Sequence, residues 1–207
     1  MSTRTYHLNQ AAVFYKTKEA LGGLSNMAAG FPLQVNNLDI RTSEALYQAL
    51  RFPQQPAIQQ EIIDQASPMA AKMVSKKHRP LTRADWPEVR VKIMRWCLRV
   101  KLLQHWEAFG GLLLSTGERP IVERSRRDRF WGAVLDKEQQ TLEGENVLGR
   151  LLMELRQIYQ TTPTAPLTLE PLSLAKFYLM SKQIESVQPL YTTHITTKQQ
   201  PQQGGLF

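Results

Sequence analysis

The sequence predicts an α+β fold, mostly helical with a small β-sheet, in one domain of residues 1–160 followed by an appendage of residues 161–207. Three observations predict it. Apolar residues recur at helical spacing in several stretches, most clearly at Val147, Leu148, Leu151, Leu152, Leu155 and Ile158. Strand-like runs are few and short, so the sheet is small. At Thr161 the composition changes, where TTPTAPLTLEP reads as a Pro/Thr linker.

Taken in order, Ala11–Tyr15 (AAVFY) reads as a short strand, and 32–40 as a hairpin with Leu33 and Val35, then Leu38 and Ile40, around Asn36-Asn37. Ser43 can cap a helix running to about Phe52. Pro53 and Pro56 interrupt the chain before a second helix at about 57–66. Ser67-Pro68 is a cap and first turn, opening a helix to about Lys77. Asp85, with Pro87 just after it, opens a longer helix in which Ile93, Trp96, Cys97 and Val100 keep an apolar stripe. Trp106–Leu114 forms another helix, Pro120–Glu123 a strand, and Asn146–Tyr159 the amphipathic helix already noted. Beyond the linker, Leu172–Ser181 has the pattern of a short docking helix, and from Thr192 the chain is Gln- and Thr-rich and expected to be disordered.

The composition bounds the function. The 207 residues are 42% hydrophobic, enough for a core, yet no apolar run is long enough to span a membrane. MSTRTYHLNQ lacks the apolar stretch of a signal peptide, so a cytoplasmic protein without membrane contact is expected. The single cysteine, Cys97, excludes an intrachain disulfide and reads as a small buried hydrophobe. His7, His78, His105 and His194 are scattered and have no ligand spacing with Cys97, so no metal site is expected. Phosphate-loop, dinucleotide and serine-elbow patterns are absent, and no cofactor is implied. The net charge is +8. Residues 161–207 hold three lysines against two glutamates, which leaves +7 on residues 1–160. A basic domain suits a polyanion or a phosphorylated ligand.

Two segments carry candidate chemistry. Glu123–Gly132, ERSRRDRFWG, places Arg124, Arg126, Arg127 and Arg129 around Asp128 and ends in Phe130, Trp131 and Gly132. It is either a solvated loop anchored by two aromatics or a binding loop. In the second case arginine forks meet phosphate, rings stack, and Gly132 lets backbone come close to a ligand. Glu44 opens the helix SEALYQALRF. It is either a first-turn acid favoured by the helix dipole or, beside the apolar face of Leu46, Tyr47 and Leu50, a carboxyl of raised pKa suited to acid–base work. Arginines crowding Asp128 would instead keep it ionised, and such a contrast between two carboxylates is used in glycosidic cleavage.

Together with their order, these motifs resemble the NADAR, or YbiA-like, family. The resemblance covers about residues 11–160. It runs through Ser25-Asn26, TSEALYQALRF (42–52), ASPMAAK (66–72), Trp86, RVKLLQH (99–105), LLLSTGERPIVERS (112–125), DRFWG (128–132) and NVLGRLLMELR (146–156). Met27, Ala45 and the longer 134–145 segment depart from the usual pattern, around the presumed pocket. The resemblance implies the YbiA-like α+β fold and N-glycosidase activity, with Glu44 as acid/base and Asp128 and Trp131 in the pocket. It implies that Ser25 and Asn26 bind ribose or phosphates, with Trp86, Arg126, Arg127 and Gly132 also on the substrate side. Lys101 would lie near a phosphate, or attack the anomeric carbon as an amine and form a Schiff base.

Two substrate classes go with the family: ADP-ribose attached to guanine in nucleic acid, and phosphorylated intermediates of riboflavin synthesis. The +7 domain and the arginine-dense loop favour the first, which makes ADP-ribosylated nucleic acid the expected partner and an ADP-ribosyltransferase toxin the expected antagonist. A module that holds ADP-ribose or NAD without cleaving it is the third reading. Gln203-Gly204-Gly205-Leu206-Phe207 is an ordinary chain end, or a peptide resembling those that dock on bacterial sliding clamps.

Overall fold

The computed structural model describes residues 2–190, as an α+β arrangement of six α-helices and a curled mixed sheet. The sheet has the order β1-β7-β6-β5-β2. Here β1 is Arg4–His7, β2 Ala12–Phe14, β5 Ile121–Ser125, β6 Ala133–Asp136 and β7 Thr141–Gly144. β1 and β6 pair antiparallel with β7, while β5 runs parallel to both β6 and β2. β3 (Leu33–Val35) and β4 (Leu38–Ile40) form the predicted hairpin. Asn36 and Asn37 have φ of 51° and 61°, the pair of left-handed residues that a tight hairpin turn requires.

Alternation along β5 sorts the core into two sides. Ile121 joins the large helical cluster, and Val122 joins a small cluster with Tyr6, Ala11, Ala133 and Leu142. Glu123, two residues after Ile121, therefore points toward the helices. Those helices are α1 (Ser43–Ala49), α2 (Pro56–Ile63), α3 (Pro68–Lys77), α4 (Trp86–Gln104), α5 (Trp106–Leu114) and α6 (Val147–Thr161). All seven residues of α1 are buried, as a helix central to its domain must be.

The helices and the strands at 12–14 and 121–125 lie where the sequence predicts them, with differences at their ends. Thr42, not Ser43, caps α1 by accepting from Ala45 N at 3.2 Å. Pro56 is the first residue of α2 rather than an interruption before it, since the missing N–H costs nothing in a first turn. Ser67 caps α3 as expected. The sheet is larger than the sequence suggests. β1 buries only Tyr6, and β6 and β7 flank the polar turn 136–141, which is held by Asp136 accepting from Glu138 and Gln139 backbone N–H. Each of the three is only four residues long, too short to show a period.

The docking helix at Leu172–Ser181 is not present. The segment forms a hairpin, β8 (Tyr178–Leu179) and β9 (Lys182–Gln183), through Met180 and Ser181 at positive φ. It packs back on the core. Phe177, Leu179, Ile184 and Val187 are buried, and Phe177 meets Trp96 edge-on at 5.1 Å. Gln59 in α2 clamps the hairpin, donating to Tyr178 O at 3.0 Å and accepting from Met180 N at 2.7 Å. Residues from Thr192 on, including Gln203–Phe207, lie outside the described residues. Among the described residues no helix is long and apolar enough to cross a membrane, and Cys97 is buried and free. Because the 166–190 segment completes the core, Phe177→Ala should cost about 3 kcal/mol of unfolding free energy in urea denaturation. A cost below about 0.5 kcal/mol would mean that the segment is not part of the cooperative unit.

Candidate active site

Glu44 sits at the centre of the helical layer and is 3% exposed. One carboxylate oxygen accepts from Gln48 Nε2 at 2.8 Å, one turn on, and the other accepts from Asn26 Nδ2. The Asn26 carbonyl in turn accepts from Glu44 N at 2.9 Å and from Ser43 Oγ at 3.1 Å. So Asn26 grips the start of α1 from both its backbone and its side chain. Gln48 cannot turn its amide over, because its Oε1 accepts from Arg51 Nη1 at 3.1 Å. Burial raises the Glu44 pKa, while Lys72, Gln48, Arg51 and Asn26 oppose the rise.

The loop carrying Asn26 is held from behind by Lys101. This lysine is 1% exposed, and its Nζ donates to Gly23 O at 2.6 Å and to Ser25 O at 3.1 Å. The faces of Phe31 and Phe109 lie 4.3 and 4.2 Å from the amine. Desolvation lowers its pKa to about 7. The amine is enclosed by carbonyls and rings of its own chain, which places Lys101 as a support of the Ser25-Asn26 loop. Ser25 Oγ accepts from Met27 N at 3.1 Å and shapes the same turn.

The second wall comes from the 123–132 segment, and its arrangement differs from the sequence expectation. The arginines do not crowd Asp128. Arg126 donates to Tyr15 OH at 2.8 Å, Arg124 lies over the Tyr15 ring at 4.9 Å, and Arg129 pairs with Glu143 at 3.2 Å. Arg127 is exposed. Among the described residues Asp128 has no arginine partner; its Oδ1 accepts from Phe130 N and Trp131 N, both at 2.9 Å, and so turns the loop. Neighbouring arginines in the sequence splay apart because β5 alternates and the turn then reverses the chain.

Four carbonyls of this loop receive N–H groups at the entry to α6, two from the residues just before the helix and two from its first turn. Glu145 N donates to Arg129 O, Asn146 N to Gly132 O, Val147 N to Phe130 O and Leu148 N to Trp131 O. Asn146, at φ 49°, accepts from Glu123 N at 3.1 Å and donates to Ile121 O at 2.8 Å. Gly132 serves this packing: a Cβ there would lie 2.6 Å from the Glu123 carbonyl.

These supports fix Glu123, which the sequence shows as the end of a strand and the first residue of ERSRRDRFWG and to which no catalytic role is assigned there. Burial raises its pKa to about 7, aided by the charges of Asp128 and then Glu44, and opposed by Lys72. Among the described residues its carboxylate has no hydrogen-bond donor or ion-pair partner. Glu44, Glu123 and Asp128 thus form one electrostatic group, near Lys72 of α3. An aromatic chain closes over it. Trp86 packs on Tyr47 at 5.0 Å, Tyr47 on Trp131 at 5.7 Å, and Trp131 on Phe130 at 5.1 Å, with Arg51 over Trp86 and Arg90 over Phe130. The one signal for Glu123 in the sequence was its period-two register with Ile121, which puts a carboxyl on the core side of β5.

Contacts and charge link Glu44 to Asn26, Tyr47 and Glu123, and Tyr47 in turn to Trp86 and Trp131; Lys101, Ser25 and Gly132 support the loops involved, and Arg126 and Arg127 are exposed. A separate cavity of about 320 Å³, between Lys92–Arg99 of α4 and residues 169–173, contains none of the expected site residues. Among the described residues no group of histidine, cysteine or carboxylate side chains has the disposition of a metal centre.

Residues 13–159 match the NADAR domain family. The chain belongs to the NADAR family. Its relatives include the N-glycosidase YbiA of Escherichia coli (strain K12), 38% identical over 157 residues that span 74% of this chain and 92% of that protein. An N-glycosidase of Nostoc punctiforme is 32% identical, across 70% of this chain and 89% of its own. A riboflavin biosynthesis protein of Vibrio vulnificus is 31% identical, across 76% of this chain but 41% of its own. The NMR structure of the Escherichia coli protein YbiA superposes with a TM-score of 0.61 at 33% identity, covering 74% of this chain and 88% of that one. In this member of the NADAR family the cluster above lies within the matched span.

The lysine support gives a pH signature. The folded pKa of Lys101, about 7, lies below the usual 10.5, so between those values the unfolded chain binds the extra proton. Wild-type stability should therefore gain on Lys101→Met as pH rises from 7 to 10, by on the order of a few kcal/mol. Urea unfolding at several pH values checks it; a constant difference would show that Lys101 stays charged in the fold.

Proposed function

We propose that this protein is an N-glycosidase that hydrolyses the bond between ADP-ribose and guanine in nucleic acid, reversing the modification made by an ADP-ribosyltransferase toxin. The observation that carries the glycosidase reading is the pair Glu44 and Glu123, two carboxyls on separate elements that differ in their hydrogen bonding, beside a chain of aromatic rings. Burial raises the Glu44 pKa, and the fixed amide donors on both of its oxygens oppose that rise. Among the described residues Glu123 has no donor, and burial and two acidic neighbours raise its pKa to about 7, so it holds a proton near neutrality.

The division of labour follows. As the C1′–N bond breaks, positive charge grows on the sugar, and the Glu44 carboxylate stabilises it. Water attacks C1′ and gives its proton to Glu44. Glu123 gives its proton to the departing base nitrogen. The products are a sugar with a free C1′ hydroxyl and an unmodified base, and exchange with solvent restores both carboxyls. Trp86 and Trp131 offer faces on which a base or adenine ring can stack.

Support for ADP-ribosyl-guanine comes from charge. Residues 1–160 carry +7, and Lys72, Arg79 and Arg127 near the site have no ion-pair partner among the described residues. A guanine in duplex is stacked and paired, so single-stranded or flipped substrate is expected. A second reading, cleavage of a phosphorylated intermediate of riboflavin synthesis, is favoured by the name of the Vibrio vulnificus relative. The Gln203–Phe207 peptide, as a clamp-docking end, would agree with a DNA substrate.

Incubation with guanine-ADP-ribosylated oligonucleotide and with aminopyrimidine ribose phosphate separates the readings. Free ADP-ribose is expected, and release of ribose 5-phosphate alone, with the oligonucleotide untouched, would reject the first. Glu44→Gln should lower kcat by about 10²–10⁴ while ADP-ribose binding persists. Retained turnover would remove Glu44 from the mechanism; no turnover by wild type, with tight ADP-ribose binding, would leave a binding module. The pH profile should be bell-shaped. Activity falls at low pH as Glu44 gains a proton and falls above about pH 7 as Glu123 loses one. In Glu123→Gln the alkaline fall should vanish along with most of the rate, and an unchanged alkaline limb would exclude Glu123 as the acid.

A further inference from the structure

Among the described residues the outer face of α3 is left without a protein partner. Met69, Lys72, Met73 and Lys76 fall at i, i+3, i+4 and i+7 and form one stripe along the helix. Met69 and Met73 are 57% and 56% exposed, and both lysines are exposed, while Ala71 and Ser75 on the other side are buried. The charge of the segment is one-sided. Residues 65–84 contain Lys72, Lys76, Lys77, Arg79 and Arg83 and no aspartate or glutamate. Glu61 pairs with Lys77 and His78, and Asp85 pairs with Arg83. Lys72, Lys76 and Arg79 have no ion-pair partner among the described residues.

This stripe borders the site. The charge of Lys72 acts on both Glu44 and Glu123, and that of Arg79 acts on Arg51. Like charges gathered this way repel one another unless an anion sits among them. On the other side, Asp128 acts on Glu123 and leads into the Arg126-Arg127 edge. Two basic segments, 72–79 and 124–127, therefore flank one carboxylate pair.

We infer that the outer face of α3 binds the single strand of nucleic acid that flanks the modified nucleotide, with Lys72, Lys76 and Arg79 on phosphates and the two methionines against unstacked bases. The inference rests on the nucleic-acid reading of the site. A sugar-phosphate chain supplies spaced anions that match the lysine spacing, and a single strand alone exposes base faces for soft thioether contact. A duplex hides those faces, and a free mononucleotide spans only the cleft.

Fluorescence anisotropy with an unmodified single-stranded oligonucleotide tests the surface without turnover. The slope of log K against log[salt] should shrink by about 2 in the Lys72→Ala/Lys76→Ala/Arg79→Ala protein, with affinity down roughly tenfold. Met69→Ser/Met73→Ser should weaken single-strand binding about threefold, leave the salt slope unchanged and leave duplex binding as it was. All five side chains are exposed, so unfolding midpoints should match wild type, and the single change Lys76→Glu gives a second charge variant. Unchanged affinity and slope in the triple variant would overturn the inference. So would tighter binding to phosphatidylserine vesicles than to the oligonucleotide, which would make the stripe a membrane contact. Cleavage of modified oligonucleotide with no response to these changes would reject the surface and spare the glycosidase reading. Loss of binding in the variants supports the surface even in a protein that fails to cleave.

Discussion

The junction between β5 and α6 is the constraint on which the site depends. A helix begins with N–H groups that have no partner inside it, and leaving one buried and unpaired costs about 1–3 kcal/mol. Here the carbonyls of residues 129–132 satisfy four consecutive N–H groups, from Glu145 to Leu148. The loop is thus held by what the helix needs rather than by any apolar face of its own. Asn146 adds two bonds to β5, on either side of Val122, and its left-handed backbone is a conformation that asparagine tolerates better than most residues. Strand, loop and helix then move together or not at all, and Glu123 and Trp131 inherit that rigidity.

A second rigid unit faces the first. Lys101, from the last turn of α4, ties down the carbonyls of Gly23 and Ser25, and the next residue, Asn26, meets Glu44. The chain of contacts from Lys101 through Asn26 to Glu44 and on through Gln48 to Arg51 contains no flexible exposed side chain. Arg51 also bonds Ser75 and Thr82, so α1, α3 and the approach to α4 are locked to the same carboxyl. The two units touch where Tyr47 meets Trp131. Sites that require a carboxyl in one orientation are commonly supported in this way, from residues whose own geometry is fixed.

How much of this was legible depended on the kind of force involved. Helices announced themselves, because burial of one stripe leaves a period in the sequence, as at Val147–Ile158. The Asn36-Asn37 hairpin was equally plain. β1, β6 and β7 left no such trace, since each is four residues long, too short to establish a period, and pairs through backbone groups common to every residue. The 172–181 segment misled for a related reason. Its leucines and Phe177 do reach the core, but from a hairpin whose Met180-Ser181 turn carries no glycine or asparagine. At the site, Glu44 was legible because a carboxyl among Leu46, Tyr47 and Leu50 is out of place. Asp128 and the arginines were misjudged because nearness in sequence was taken for nearness in space. Glu123 was passed over since one carboxyl on a strand looks like an ordinary rim residue until the register shows which face it occupies.

The distribution of charge gives the site its logic. Its floor is acidic, with Glu44 and Glu123 within reach of each other's charge, and basic groups lie around it, with Lys72, Arg51 and Arg79 from one segment and the exposed Arg126 and Arg127 from the other. Such a layering would be costly for a protein that only held an anion, because the floor repels it. It suits a ligand whose anionic parts rest on the margins while positive charge develops at its centre. Breaking a glycosidic C–N bond in a phosphorylated ribose creates that pattern for a moment, with phosphates outside and an oxocarbenium-like carbon within. The acidic floor then interacts more strongly with the transition state than with the substrate, and only a difference of that kind accelerates a reaction.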